Sequence, residues 1–201
     1  SGWSYKDWVG TFYPEGLDAR RQLAFYARHF DTVEVNVTFY RLPPRETVES
    51  WVRRTPRGFV FSVKFPQDIT HGLHLTVSER KLNKFFDVVS PIERSGKLGA
   101  YLIQCPPEFV KTRATMEKLR GFLEALPSGR RVAIEFRHRS WLDDETFRVL
   151  EEYGVAYVIV DEPLLPPITR VTADFTYIRL HGRGRKVWYY YDYRREELEK
   201  W

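Results

Sequence analysis

Residues 32–65 hold Thr32-Val-Glu-Val-Asn-Val37, then Pro43-Pro44 and a run from Arg45 to Arg53, then Phe59-Val-Phe-Ser-Val-Lys-Phe65. The first and last runs carry β-branched or aromatic side chains and are too short for helices, so each predicts a strand. Between them the diproline breaks the chain, and Val48, Trp51 and Val52 recur at helical spacing, predicting a short helix over 45–53. Strand, helix and strand in that order make a βα unit with parallel strands.

The alternation extends in both directions. Upstream, Leu23, Tyr26, Ala27 and Phe30 predict an amphipathic helix from Asp18 to Arg28. Downstream, Pro66 stops the second strand, and Thr76 with Glu79 forms a capping box before a helix carrying Leu82, Phe85, Phe86 and Val89. Leu98 to Gln104 is a strand ended by Pro106-Pro107, followed by a helix with Met116, Leu119, Leu123 and Leu126. Arg131 to Phe136 is the next strand, and Asp143 caps a helix holding Phe147 and Leu150 that Gly154 closes. Val155 to Val160 and Phe175 to Leu180 complete six strands, joined by a connection (Pro163 to Asp174) poor in helical pattern, and Arg195 to Trp201 begins a last helix. The spacing predicts an α/β fold of the (β/α)₈ TIM-barrel type, one domain over residues 1–201. Such a barrel usually takes about 250 residues, which puts its first strand before Ser1 and its eighth beyond Trp201. An open sheet of six or seven strands is the alternative. No Gly-x-Gly-x-x-Gly opens a helix and no phosphate loop is present, which argues against a dinucleotide-binding fold.

The composition suits a folded domain, with 43% hydrophobic, 16% aromatic and 29% charged residues. No run approaches the ~20 apolar residues of a membrane span, and the start lacks the basic and apolar segments of a secretory signal. The lone Cys105 excludes a disulfide framework and a cysteine-built metal site, so a reducing cytoplasm is the expected location. Arginine supplies 23 of the 32 positive residues and the net charge is +5, which is compatible with a polyanionic partner. The cations are nevertheless scattered among acids, the pattern of a solvated surface.

Polar residues gather at the C-terminal ends of the strands, where barrel enzymes build their sites. They are Glu34 and Asn36, Lys64, Gln104, Glu135 and Arg137, Asp161, and Arg179 with His181. A register-setting ion-pair network accounts for any one of them. The whole set points instead to a ligand site that binds an anion through Lys64, Arg137 and Arg179 while a carboxylate (Glu34, Glu135 or Asp161) or a histidine moves a proton. His138 and His181 lead the histidines, and His71 follows in a loop; His29 and His74 fit a structural role. No His-Glu-x-x-His or cysteine pair is present and arginines repel cations, so neither metal nor other cofactor is expected. The remaining alternatives are a nucleic-acid-binding module using the basic and aromatic rim, and a sugar hydrolase with two facing carboxylates. The aromatic runs around Trp3, Phe12, Phe39 and Trp188 suit either stacking surfaces or a lid over the barrel mouth.

The ordered set Gly-Trp-Ser-Tyr (2–5), Phe-Tyr-Pro (12–14), Thr-Val-Glu-Val-Asn (32–36), Phe39-Tyr40-Arg41, Phe-Ser-Val-Lys (61–64), Ile-Thr-His (69–71), Gln104 with Pro106-Pro107, Glu-Phe-Arg-His (135–138) with Trp141, and Arg-Leu-His-Gly (179–182) resembles the YecE-like family, a domain of unknown function. The resemblance implies a TIM-type barrel and a pocket of Glu34, Asn36, Lys64, His71, Gln104, Glu135, Arg137, His138, Arg179 and His181. The motif tracts add Tyr40 and Trp141 to the expected substrate contacts. The leading residues of the first strand and the terminal strand of that family are absent here, and the resemblance names no reaction.

Overall fold

A computed structural model describes residues 2–71, 75, 78–184 and 186–201. Six strands form one parallel sheet in chain order: β1 (Thr32–Val35), β2 (Val60–Lys64), β3 (Leu98–Gln104), β4 (Val132–Glu135), β5 (Ala156–Asp161) and β6 (Tyr177–Leu180). The larger helices are α1 (Ala19–Tyr26), α3 (Arg45–Arg53), α5 (Glu79–Arg94), α6 (Arg113–Glu124) and α7 (Asp144–Glu152). Single turns follow β1 and β2, as α2 (Val37–Tyr40) and α4 (Gln67–Thr70), and α8 (Arg195–Leu198) ends the order.

The helix starts have local causes. Asp18 accepts the Arg20 amide at 2.7 Å, and Asp143 accepts that of Thr146 at 2.9 Å, each satisfying a donor that the helix leaves without a partner. Gly154, at φ +63°, turns the chain out of α7. The expected capping box at Thr76 lies outside the described residues. Asn36 and Val37 leave the strand and start α2, and the strand expected from Phe175 begins at Tyr177.

Side chains alternate between two layers. Val33, Val35, Phe61, Val63, Tyr101, Ile103, Val132, Ile134, Tyr157 and Ile159 join the core beneath the helices, whereas Leu102, Ala133, Ala156, Val158 and Val160 pack on the concave side. Between β2 and β3 the register shifts by one residue, which skips Gly99 and sets Lys64 opposite Leu102 on that side. A Cβ on Gly99 would meet Val60 Cγ1 at 2.6 Å, so this crowded bulge suits a residue without one.

Six flat strands would hold their edges roughly 24 Å apart, from five spacings of ~4.8 Å. Here Arg179 on β6 bonds Glu34 on β1 at 2.8 and 3.0 Å, so the sheet curls into a half-barrel. The described residues thus supply six parallel strands of the expected barrel type as a half-barrel: β1 and β6 are its edges, and side chains rather than backbone hydrogen bonds span the seam between them. Among the described residues no helix lies between β5 and β6, and Ile178 and Leu180 stay 43% and 38% exposed. Among the described residues no helix is long and apolar enough to cross a membrane.

Candidate functional site

The concave positions of successive strands place one ionic network at the C-terminal end of the sheet. Arg179 donates to both oxygens of Glu34, to Glu135 Oε2 at 2.5 Å and to Gln104 Oε1 at 3.1 Å. Arg137 donates through Nε to Glu135 Oε1 and through Nη1 to Glu162 Oε2 at 3.3 Å. The Tyr177 hydroxyl donates to Glu34 Oε2 at 2.9 Å. Two guanidiniums thus bind three carboxylates, using the planar fork that suits Arg to this task.

His181 completes the network. Its Nε2 stands 3.3 Å from Arg137 Nη2 and 3.5 Å from Glu135 Oε2. A guanidinium only donates and a carboxylate only accepts, so His181 Nε2 accepts from Arg137 when it carries no proton and donates to Glu135 when it does. The tautomer therefore selects the partner. Gly182, at φ +83°, lets the following loop close over this histidine; a Cβ there would lie 2.1 Å from the Trp188 carbonyl oxygen.

The titrations differ by position. Burial alone would raise the Glu135 carboxyl, but the His181 hydrogen bond and the charges of Arg179 and Arg137 hold it at about 2. Burial raises Glu162 above the usual carboxylate range, with Arg137 opposing and Glu135 reinforcing. Burial, then the Arg179 charge, lowers the Lys64 ammonium to about 8 despite Glu135 and Glu34 nearby. Lys64 is 8% exposed, its Nζ sits 3.8 Å over the Phe39 ring, and it has no carboxylate within 4.0 Å among the described residues.

Of the residues expected from the sequence, Glu34, Gln104, Glu135, Arg137, Arg179 and His181 join by direct contact, with Lys64 beside them. Asn36 is the residue before α2, at the end of β1. His71 bonds Thr70 Oγ1 through Nδ1 at 2.8 Å and meets the Phe39 ring edge-on. Tyr40 lies on the outer rim, 72% exposed. Three residues sit apart from the network. Asp161 is taken by Arg183 at 2.7 and 2.8 Å. His138 Nδ1 bonds Ser140 Oγ at 2.7 Å. Trp141 is fully buried, stacked between Phe109 and Phe136. His74 lies outside the described residues. His29 packs against Phe12 and Phe25 at the helix α1 end, in keeping with a structural role. The aromatic run of Trp8, Phe12 and Tyr13 packs there as well, so it forms no lid over the sheet.

Sequence reasoning missed Glu162 and Tyr177, yet parity marks both. Val158 and Val160 face the concave side, and the next position in phase is Glu162, not Asp161. Tyr177 is likewise in phase with Arg179 and His181. The same count separates His138 from Glu135 and Arg137. Among the described residues no three His, Cys, Asp or Glu side chains form a metal-binding group.

The sequence profile of a family described as "Protein of unknown function DUF72" matches residues 1–201. UPF0759 protein YunF of Bacillus subtilis (strain 168) is 29% identical over 228 residues, covering 100% of this chain and 79% of that protein. UPF0759 protein YecE of Escherichia coli (strain K12) is 32% identical over 164 residues, covering 79% of this chain and 56% of that protein. The crystal structure of a DUF72 family protein (TM1631) from Thermotoga maritima MSB8 superposes with a TM-score of 0.83 at 33% identity, covering 100% of this chain and 82% of that one. A second, of a DUF72 family protein (EF0366) from Enterococcus faecalis V583, gives 0.78 at 28% identity over 89% of this chain and 77% of that one.

Proposed function

Since the chain belongs to the DUF72 family, which carries no described activity, we propose its function from its own site: an enzyme that applies acid–base chemistry, of hydrolase or lyase type, to a phosphate-bearing or other anionic substrate at the C-terminal end of the sheet. The observation that carries this reading is Lys64. A largely buried ammonium with no carboxylate within 4.0 Å among the described residues is costly, and every carboxylate of the network is already held by a guanidinium. An anionic substrate group supplies the counter-charge.

Glu135, ionised down to about pH 2, acts as a fixed charge that orients Arg137, Arg179 and His181 and does not carry the travelling proton. Glu162 and His181 are the proton-transfer pair: both touch Arg137, Glu162 binds its proton more readily than an ordinary carboxylate, and His181 Nε2 lies between Arg137 and Glu135. Arg179 lies between Glu34 and Glu135, and Arg137 between Glu135 and Glu162, so a guanidinium separates the carboxylates of each of these pairs. This arrangement counts against the sugar hydrolase.

The test combines calorimetric titration with inorganic phosphate and turnover of p-nitrophenyl phosphate mono- and diesters. Lys64→Met is expected to weaken phosphate binding at least tenfold, and the wild-type affinity to fall as pH rises through about 8, where Lys64 loses its charge. Glu162→Gln is expected to keep binding and lose turnover. Unchanged phosphate affinity in Lys64→Met refutes the reading.

A further inference from the structure

Outside the network, the loop after β1 and the start of α3 face α4 and α5 across a groove of about 890 Å³. Arg41, Arg45, Arg80, Lys81 and Lys84 line it, against the single carboxylate of Asp68. Arg45 is held by Asp87 at 2.6 Å, and Lys81 by Asp68 at 3.1 Å. Arg41, Arg80 and Lys84 have no carboxylate within 4.0 Å among the described residues, and all three are exposed. Cations without counter-charge in a concave surface focus positive potential there. Tyr40 stands on the same rim, 72% exposed, edge-on to Phe39 at 5.1 Å. Phe39 itself is engaged by Lys64 and His71, so Tyr40 is the ring that the groove offers to solvent.

We propose that this groove binds single-stranded nucleic acid, with Arg41, Arg80 and Lys84 on the phosphates and Tyr40 as the platform for an unpaired base. Spaced cations beside an exposed aromatic are the combination that tracks a backbone and stacks its bases. A duplex keeps its bases stacked on each other and has none to give Tyr40. The contrast is a second basic hollow, lined by Arg20, Arg21, Arg28 and Arg54 around about 390 Å³. Its aromatic, Phe25, is packed against Phe12 and His29. Charge alone is present there, and the combination is not.

Binding does not depend on the proposed reaction, so Glu162→Gln is expected to bind as the wild type does. The probe is a fluorescent oligothymidylate of about 12 nucleotides, within the site sizes such proteins cover, followed by anisotropy from about 50 to 200 mM salt. Three phosphate contacts at ~0.7 each predict that Arg41→Ala/Arg80→Ala/Lys84→Ala removes about 2 from the slope of log affinity against log salt. Tyr40→Ala is expected to weaken binding about tenfold with the slope kept. Arg20→Ala/Arg21→Ala/Arg28→Ala, with the same change in charge, is expected to leave affinity within about twofold, and circular dichroism confirms that each exposed-residue variant folds. The proposal fails if the groove triple binds as the wild type, if the opposite triple loses as much, or if a duplex of the same length binds equally well.

Discussion

Arg179→Met removes four hydrogen bonds at once: two to Glu34, one to Glu135 and one to Gln104. The side chains involved are nearly dry, at 14% exposure for Arg179, 9% for Glu34 and 0% for Glu135. Two carboxylates then lose their common counter-charge, although Arg137 and His181 still face Glu135 and Tyr177 still faces Glu34. Breaking a buried pair from one side costs about 3–5 kcal/mol, against ~0–1 kcal/mol for a surface pair. In a chain of this size each kcal/mol lowers the melting temperature by roughly 2–4 °C, so a fall of about 10 °C is expected. Urea unfolding followed by tryptophan fluorescence reads the free energy directly. Arg179→Lys restores the charge without the fork and is expected to recover only part of the loss. Combining Arg179→Met with Glu34→Gln and Glu135→Gln leaves no orphaned charge and is expected to recover most of it. A loss under ~1 kcal/mol for Arg179→Met, or a triple variant no better than the single, would refute a network that holds the sheet edges by mutual charge.

Glu135 sets an acid limit on stability. Its folded-state carboxyl is lowered from 4.5 to about 2. Its ionised form therefore stabilises the fold above about pH 4.5, and that contribution, roughly 3 kcal/mol, is lost as pH falls from there through about 2; the urea midpoint of Glu135→Gln is expected to be flatter over this window. Lys64→Met is expected to raise stability at pH 7 by about 1–3 kcal/mol, because the fold lowers the ammonium from 10.5 to about 8 and its charged form costs the fold below that pH. A destabilised Lys64→Met would show that the ammonium has a structural partner instead.

How much of this was legible depended on which physical rule governed each element. The strands were readable because sheet residues covered on one face by helices form β-branched and aromatic runs, and Thr32–Val35 and Val60–Lys64 fall inside the expected segments. Asn36 and Val37 read as strand because β-branched residues continue the pattern, yet the chain turns there into α2, a tertiary demand that propensity does not register. The network residues were visible as polar interruptions in apolar runs. Asp161 was misplaced because the last polar residue of β5 looks like a site residue unless its phase is counted, and Glu162 was passed over for the same reason. Lys64's want of a carboxylate follows from which acids the two arginines reach, a three-dimensional fact with no trace in spacing. The curl of the sheet followed from the barrel-type alternation, but the pair that spans its seam did not, since Glu34 and Arg179 are 145 positions apart.

Interleaving catalytic candidates with core residues at alternate positions makes each strand a message that is legible in only one frame. In β4, Val132 and Ile134 belong to the helix layer, and Ala133 and Glu135 to the concave layer. Deleting one residue just upstream would turn Glu135 toward the hydrocarbon side and present Phe136 to Arg179, exchanging the two layers along the whole strand. Substitutions at these positions disturb one contact, whereas an insertion or deletion rewrites the strand. The connecting segments are where the chain can change length without exchanging the site for the core.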